Sequence, residues 1–247
     1  MTEQGFAALH SSVDPLVLFN IWDAGSARAV AKAGAKAIAT GSHSVAGAQG
    51  FDDGEFLPWP LLVQTVRQIA EAVDLPLTVD IETGYAEDCE ALAANGRELA
   101  ALGVVGCNLE DRLFSGGMRD AGEQAERIGA LSSTGLFVNA RTDVFLGPLM
   151  EGDNPNRQEL VDHALERAAV YADAGAGGLF VPGLSDPQMI AAVCQATPLP
   201  VNVMHLPGMV GNAELGRLGV ARISHGPWPW KNAMSALEKA AQEAMQS

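Results

Sequence analysis

Short apolar runs recur along the chain, and each is followed by a stretch with the apolar spacing of a helix. Eight of these runs read as strands, at 16–22, 37–42, 77–81, 104–110, 136–141, 178–181, 201–204 and 220–224. Helices are expected at 26–33, 59–73, 87–102, from the 114–118 turn to about 131, and at 157–174, 186–195, 212–218 and 230–245. The strand runs are almost unbroken by polar residues, as in parallel strands covered on both faces. Gly34, Gly103, Gly175 and Gly219 fall where a helix must stop and the chain must turn back into a strand. The pattern predicts an α/β fold, a (β/α)8 TIM barrel forming a single domain over residues 1–247. A doubly wound open sheet is the alternative, but the turn from Trp22 to Ser26 lacks the GxGxxG of that fold.

Two connections, 47–58 and 147–156, exceed the usual two to six or so residues of such units. In a barrel they lie at the carboxyl ends of the strands, where active sites are built, and read as substrate loops or surface decoration. Polar residues collect at the same ends. The third strand carries Asp80 and Glu82 at i and i+2, which strand alternation places on one face. Alternation likewise puts Asn108 and Glu110 on one face, and Asn139 and Arg141 on another. If these faces point to the axis, Asp80, Glu82, Glu110 and Arg141 converge. Paired buried acids call for a cation or a shared proton. Hard oxygen donors suit Mg²⁺ or Mn²⁺, whereas no His pair has zinc spacing.

Each residue also has a plainer reading. Arg141 can pair with Glu110 inside the barrel, and Asp80 and Glu82 can cap a helix or be solvated. His43 is as readily a loop histidine as a substrate contact, and Asp23 and Ser26 can simply cap the first helix. His205 and His225 lean structural, and Cys107 reads as a packing residue facing the helices. Asn202, near the end of the seventh strand, is a candidate substrate contact.

Composition narrows the partners. Acids outnumber bases 30 to 15, a formal charge of −15, which disfavours a nucleic-acid or anionic-membrane partner. An anionic substrate stays compatible, because a metal and an arginine can set the local field. Three cysteines without a CxxC suggest neither a disulfide framework nor structural zinc. With no leader-like start and no apolar run near ~20 residues, a soluble cytoplasmic protein is expected. Of the lysines Lys32, Lys36, Lys231 and Lys239, none ends a strand, which disfavours a Schiff-base aldolase, and the absence of GxSxG disfavours a nucleophile-elbow hydrolase.

Taken in order, the segments 20–27, 39–42, 50–55, 79–85, 108–111, 138–143 and 179–183 resemble the isocitrate lyase/phosphoenolpyruvate mutase superfamily. They read NIWDAGSA, ATGS, GFDDGE, VDIETGY, NLED, VNARTD and LFVPG, and the resemblance spans nearly the whole barrel. It implies a (β/α)8 barrel with Mg²⁺ at its mouth. By this resemblance Asp80 is the direct ligand, and Glu82, Glu110 and Asp53 hold the metal mostly through water. Ser42 and the backbone after it form the carboxylate-binding turn, with His43 beside it, and Arg141 reaches the substrate oxyanion. The resemblance also implies a dimer or tetramer, often with the last helix exchanged between copies.

The chain departs from the subgroups at the flap 111–120, DRLFSGGMRD. Isocitrate- and methylisocitrate-cleaving members carry Lys-Lys-Cys-Gly-His, and this flap has no cysteine. Carbon–phosphorus members carry a lysine and an asparagine where Gly116 and Met118 stand, and Arg112 replaces their first lysine. Glu82 stands where aspartate is common. The expected function is Mg²⁺-dependent cleavage of a C–C bond in a small anionic 2-oxo or 2-hydroxy carboxylate, with oxaloacetate-type decarboxylation the simplest version. The alternatives are a C–P phosphonomutase or phosphonopyruvate hydrolase and a non-catalytic carboxylate-binding barrel.

Overall fold

The strands Leu77–Asp80 and Val104–Glu110 are buried at every residue, so neither face of the sheet meets water. The computed structural model describes residues 2–246. In chain order the elements are α1 (Glu3–Ala7), β1 (Leu16–Leu18), α2 (Ala24–Lys32), β2 (Ile38–Ala39), α3 (Ser42–Ala48), α4 (Trp59–Ala72) and β3 (Leu77–Asp80). There follow α5 (Cys89–Ala101), β4 (Val104–Glu110), α6 (Ala121–Ser132), β5 (Phe137–Arg141), α7 (Leu146–Glu151) and α8 (Gln158–Asp173). The chain ends with β6 (Gly178–Phe180), α9 (Pro187–Ala196), β7 (Val201–Met204), α10 (Asn212–Arg217), β8 (Arg222–Ser224) and α11 (Trp228–Gln246).

All strand pairs are parallel, running in sequence order from β2 to β8, with β1 beside β8. A bridge between Ile21 and Thr40 joins β1 to β2 beyond their formal ends. There the Ile21 N–H donates to the Ala39 carbonyl at 2.9 Å and the Gly41 N–H to the Ile21 carbonyl at 3.2 Å. The sheet therefore closes into the expected (β/α)8 barrel.

Side-chain alternation divides the barrel into two apolar bodies. Val79, Cys107, Val138, Leu179, Val203 and Ile223 point outward into the main core beneath the helices. Cys107 is thus the packing residue expected, and burial pushes its thiol up to about 12. Leu16, Leu18, Ala37, Ala39, Val105 and Phe137 form a smaller inner cluster with Phe6. Phe6 comes from α1, which the sequence pattern did not indicate because five residues with one large apolar side chain carry no periodicity. Its ring packs edge-on to Phe137 at 5.4 Å and to His10 at 5.0 Å. Burial lowers His10 to about 4, keeping that imidazole neutral.

Above this cluster the interior turns polar. Arg222 is fully buried and donates from Nη2 to Asn108 Oδ1 at 3.0 Å. Asn139 donates to the same oxygen at 2.9 Å, and Asn202 exchanges hydrogen bonds with the Ser224 hydroxyl at 3.1 and 3.2 Å.

Several helices begin on an aspartate whose carboxylate accepts from the first turn. Asp23 and Ser26 form a capping box, so the structural reading of that pair holds. The expected loop at 147–156 begins in a short helix instead, α7, and a second unexpected helix, α3, runs from Ser42 into the start of the expected loop at 47–58. No helix among the described residues is long and apolar enough to cross a membrane. Within α11 only Pro229 is buried, and Leu237 and Met245 are exposed.

Phe6→Ala should cost about 3–5 kcal/mol by leaving the inner cluster open from below. A urea midpoint shifted by less than 1 kcal/mol equivalent would show that α1 contributes little to closing the barrel.

Candidate active site at the barrel mouth

The carboxyl ends of the strands enclose a cavity of about 340 Å³. Ser42, His43, Ser44, Asp53, Asp80 and Arg141 line one part of it. Asp80 is the last residue of β3. Its N–H donates to Thr40 Oγ1 at 2.9 Å, and its carboxylate accepts from the Glu82 N–H at 3.1 Å and the Asn108 amide at 3.4 Å. Burial raises its pKa, and the nearby Arg141 guanidinium opposes that rise.

Glu82 reaches the site by a route that alternation does not describe. The strand stops at Asp80, and Glu82 takes the left-handed region at φ 52°. The one-face argument for the pair is therefore corrected: a turn aims Glu82, not the pleat. Its Oε2 accepts from the Glu55 N–H at 2.9 Å and its Oε1 from the Tyr85 hydroxyl at 3.0 Å. Glu55 answers in kind, accepting from Thr83 Oγ1 at 2.7 Å and the Tyr85 N–H at 2.9 Å. Glu55 and Tyr85 also have positive φ, at 61° and 53°, so three non-glycine residues hold disfavoured backbone at this seam. Gly84, at φ 112°, must be glycine also because a Cβ there would collide with Leu92. Arg127 closes the turn from beneath, donating to the carbonyls of Thr83 at 2.8 Å and Ala86 at 2.9 Å. Burial, then repulsion from Asp53, pushes Glu82 up to about 7.

On the other side, Arg141 ends β5. It meets Glu110 Oε2 at 2.7 Å and grips Asp143 through two bonds of 2.6 and 2.9 Å. The pairing of Arg141 with Glu110 foreseen from the sequence is present, and Asp143 is an added partner. Burial alone would lower the Arg141 pKa, but Asp143 and Glu110 hold it well above the usual value. Burial pushes Glu110 up while Arg141 pulls it back. Asp143 is anchored in turn, its N–H donating to Asp111 Oδ1 at 3.0 Å. The buried Asp111 accepts from Arg167 Nε and the Tyr171 hydroxyl, both at 2.8 Å. Arg167 also donates to the Arg119 carbonyl at 2.6 Å, tying the base of the 112–118 flap to the same network.

Of the residues nominated from sequence, Ser42, His43, Asp53, Asp80 and Arg141 line the cavity. Ser42 opens α3, and His43 packs edge-on to Trp230 at 5.7 Å. Glu82 and Glu110 stand behind the lining, engaged as described. Asn202 is displaced from its expected place: it lies one layer deeper than Met204, bonded to Ser224, and Ser224 lines the cavity instead. Among the described residues, no three His, Cys, Asp or Glu side chains gather closely enough to hold one ion directly. The donor set fits a hard cation that keeps most of its waters, with Asp80 exposing its carboxylate to the cavity and Asp53 and Glu82 close by.

Sequence reasoning passed over three residues. Ser44 is buried, lines the cavity and has no hydrogen-bond partner for its hydroxyl among the described residues. Asp143 orients Arg141, a role its NARTD context could have suggested. Lys231 was set aside as lying beyond the eighth strand, yet the first turn of α11 brings it into the lining, its ammonium 5.4 Å from the Trp228 ring centre. His205 and His225 stack on each other at 5.4 Å outside the lining.

The family model described as phosphoenolpyruvate phosphomutase matches residues 6–245. The chain belongs to the phosphoenolpyruvate mutase family. This confirms the resemblance to the isocitrate lyase/phosphoenolpyruvate mutase superfamily, whose members are lyases, mutases and hydrolases. An uncharacterized protein of Mycobacterium tuberculosis is 34% identical over 96% of this chain and 87% of its own length. Oxaloacetate decarboxylase of Rhodopseudomonas palustris is 28% identical over 72% of this chain and 62% of its own. A crystal structure of a protein of Burkholderia cenocepacia J2315, provisionally assigned as a phosphonomutase, is 48% identical with a TM-score of 0.92, covering 98% of this chain and 99% of that one.

Two outcomes test the networks that shape this mouth. Arg167→Met should cost about 3–5 kcal/mol, because Asp111 is left buried without its cation; urea unfolding measures it. Glu82 binds its proton more tightly folded than unfolded, so its contribution to stability falls as pH rises from about 4.5 to about 7. Without divalent metal, wild-type stability should lose about 1–3 kcal/mol across that window relative to Glu82→Gln. Parallel pH profiles for the two proteins would overturn this assignment.

Proposed function

We propose that this member of the family is an Mg²⁺-dependent lyase that cleaves a C–C bond in a small 2-oxo or 2-hydroxy carboxylate through an enolate. One observation carries the reading: incompletely neutralised acids and a fixed guanidinium face each other across a single cavity. Asp80, Asp53 and Glu82 gather on the β2–β3 side, where burial and mutual repulsion raise Asp80 and Glu82. Arg141 stands at the end of β5 with its charge secured by Glu110 and Asp143. Bound Mg²⁺ would supply Lewis-acid polarisation of adjacent carboxylate and carbonyl or hydroxyl oxygens, held directly by Asp80 and through water by Asp53, Glu82 and Glu110.

The chain's own residues do the rest. Ser42 and Ser44, with the backbone that starts α3, receive the substrate carboxylate, and His43 borders that end. Arg141 is already oriented by Asp143 before substrate arrives, so it stabilises the developing oxyanion without reorganising. In the decarboxylation version the bond from carbon 3 to the leaving carboxylate breaks, CO₂ departs, and the electron pair stays as the enolate. That departure needs no general acid. Tyr85 donates its hydroxyl to Glu82 and His205 stacks on His225, both outside the cavity lining, which supports solvent over either of them as the source of the proton to carbon 3.

A C–P reaction is retained as the second reading because the Burkholderia cenocepacia relative, 48% identical, carries a phosphonomutase assignment. Gly116 and Met118 in the flap offer no cation to a phosphoryl group, which favours the C–C version. The catalytic unit is expected to be a homo-oligomer, with the exposed α11 covered by a second copy; size-exclusion chromatography with light scattering tests it.

With Mg²⁺ or Mn²⁺, a panel of oxaloacetate, malate-type and isocitrate-type acids should yield pyruvate or another 2-oxo acid from one member. Arg141→Gln should lower kcat about 10²–10³-fold, and Asp80→Ala should abolish both activity and Mg²⁺-dependent oxalate binding by calorimetry. No product from any acid, with phosphorus NMR showing phosphonopyruvate consumed, would transfer the assignment to C–P chemistry. Oxalate binding that ignores both Mg²⁺ and Asp80 would leave a passive carboxylate binder.

A further inference from the structure

The cavity is chemically lopsided. Leu146 and Met150 from α7, Phe180 and Pro182 from the end of β6, and Met204 from β7 form a wall without a charged or hydrogen-bonding side chain. Arg141 and Lys231 are the cations of the lining among the described residues. Arg141 is paired with Glu110 and Asp143 and faces the reacting oxygen, and Lys231 enters the lining from the first turn of α11, its ammonium 5.4 Å from the Trp228 ring centre. The wall begins beside the reacting group, since the Phe180 ring centre lies 6.0 Å from the Arg141 guanidinium carbon. Its far edge is held in place: Gly226 leaves room for Met204, and a Cβ at 226 would come within 2.6 Å of the Met204 sulfur. Met150 is 70% exposed at the rim, an apolar side chain facing open solvent. The space, about 340 Å³, is at the low end of the ~300–1,000 Å³ of small-molecule pockets and exceeds what a bare pyruvate-like head fills.

We infer that the substrate carries an uncharged apolar substituent on the carbon next to its oxo or hydroxy carbon, seated against Phe180, Met204, Leu146 and Met150. The inference rests on the lyase reading above and narrows its substrate class. A substrate held by its carboxylate at Ser42 and its oxyanion at Arg141 directs the neighbouring carbon toward the Phe180 side. An alkyl or aryl group there leaves water for an apolar surface. A further carboxylate there would lose its hydration against side chains that offer it neither charge nor a hydrogen bond. The class is thus a 3-alkyl- or 3-aryl-substituted acid, not a tricarboxylate.

Calorimetry with Mg²⁺ and a series of malates bearing hydrogen, methyl, ethyl and propyl at carbon 3 tests this, with oxalate as the head-group control. Affinity should rise about three- to four-fold per methylene, and a 3-carboxymethyl member should bind at least tenfold more weakly than the propyl one. Met204→Ala should flatten the series while oxalate binding stays unchanged. Met150→Lys, at the exposed rim, should narrow the gap between carboxymethyl and propyl. A flat series on a wild type that binds oxalate with Mg²⁺ overturns the inference alone. Loss of Mg²⁺-dependent oxalate binding overturns the lyase reading and the inference together.

Discussion

Arg141 holds the mouth of the barrel together. A buried guanidinium is costly, and here two carboxylates repay that cost, Glu110 from β4 and Asp143 just past β5. Asp143 stays in place because Asp111 accepts its N–H, and Asp111 is fixed by Arg167 and Tyr171 from α8. One chain of charge-assisted hydrogen bonds therefore runs from an outer helix, past the flap, to the axis of the barrel. The cation reaches the cavity already aimed, with its protonation secured by its neighbours.

The opposite side is built on incomplete compensation. Asp80 and Glu82 are buried, and their hydrogen bonds do not offset the loss of hydration and the repulsion from Asp53. Such a site gains from any divalent ion that enters. The asymmetry between a satisfied cation and unsatisfied anions gives the cavity a direction, and substrate polarity has to match it.

The barrel was readable because parallel strands buried on both faces leave unbroken apolar runs, and β4 and β7 fall on the expected residues. Closure between β1 and β2 was less so, since two short strands meet through one bridge past their ends. Asp80 and Arg141 were legible from strand alternation. Glu82 reached the right neighbourhood for a different reason, because the left-handed turn that aims it depends on Glu55, 27 residues earlier in the chain. Asn202 obeyed alternation but lies too deep, as parity says which way a side chain points and not at what height. Lys231 was invisible for the converse reason: its distance from β8 in sequence hides the short span that the first turn of α11 covers.

The seam between 53–55 and 82–85 has one more implication. Glu82 accepts from the backbone of Glu55, and Glu55 accepts from Thr83 and the backbone of Tyr85. The two carboxylates are interlocked, each holding the other's segment. The loop after α3 therefore cannot swing away from the mouth while the end of β3 keeps its shape. Ligand entry and the arrangement of the acids become a single event, and a substrate leaving past this loop would disturb the groups that had just bound it.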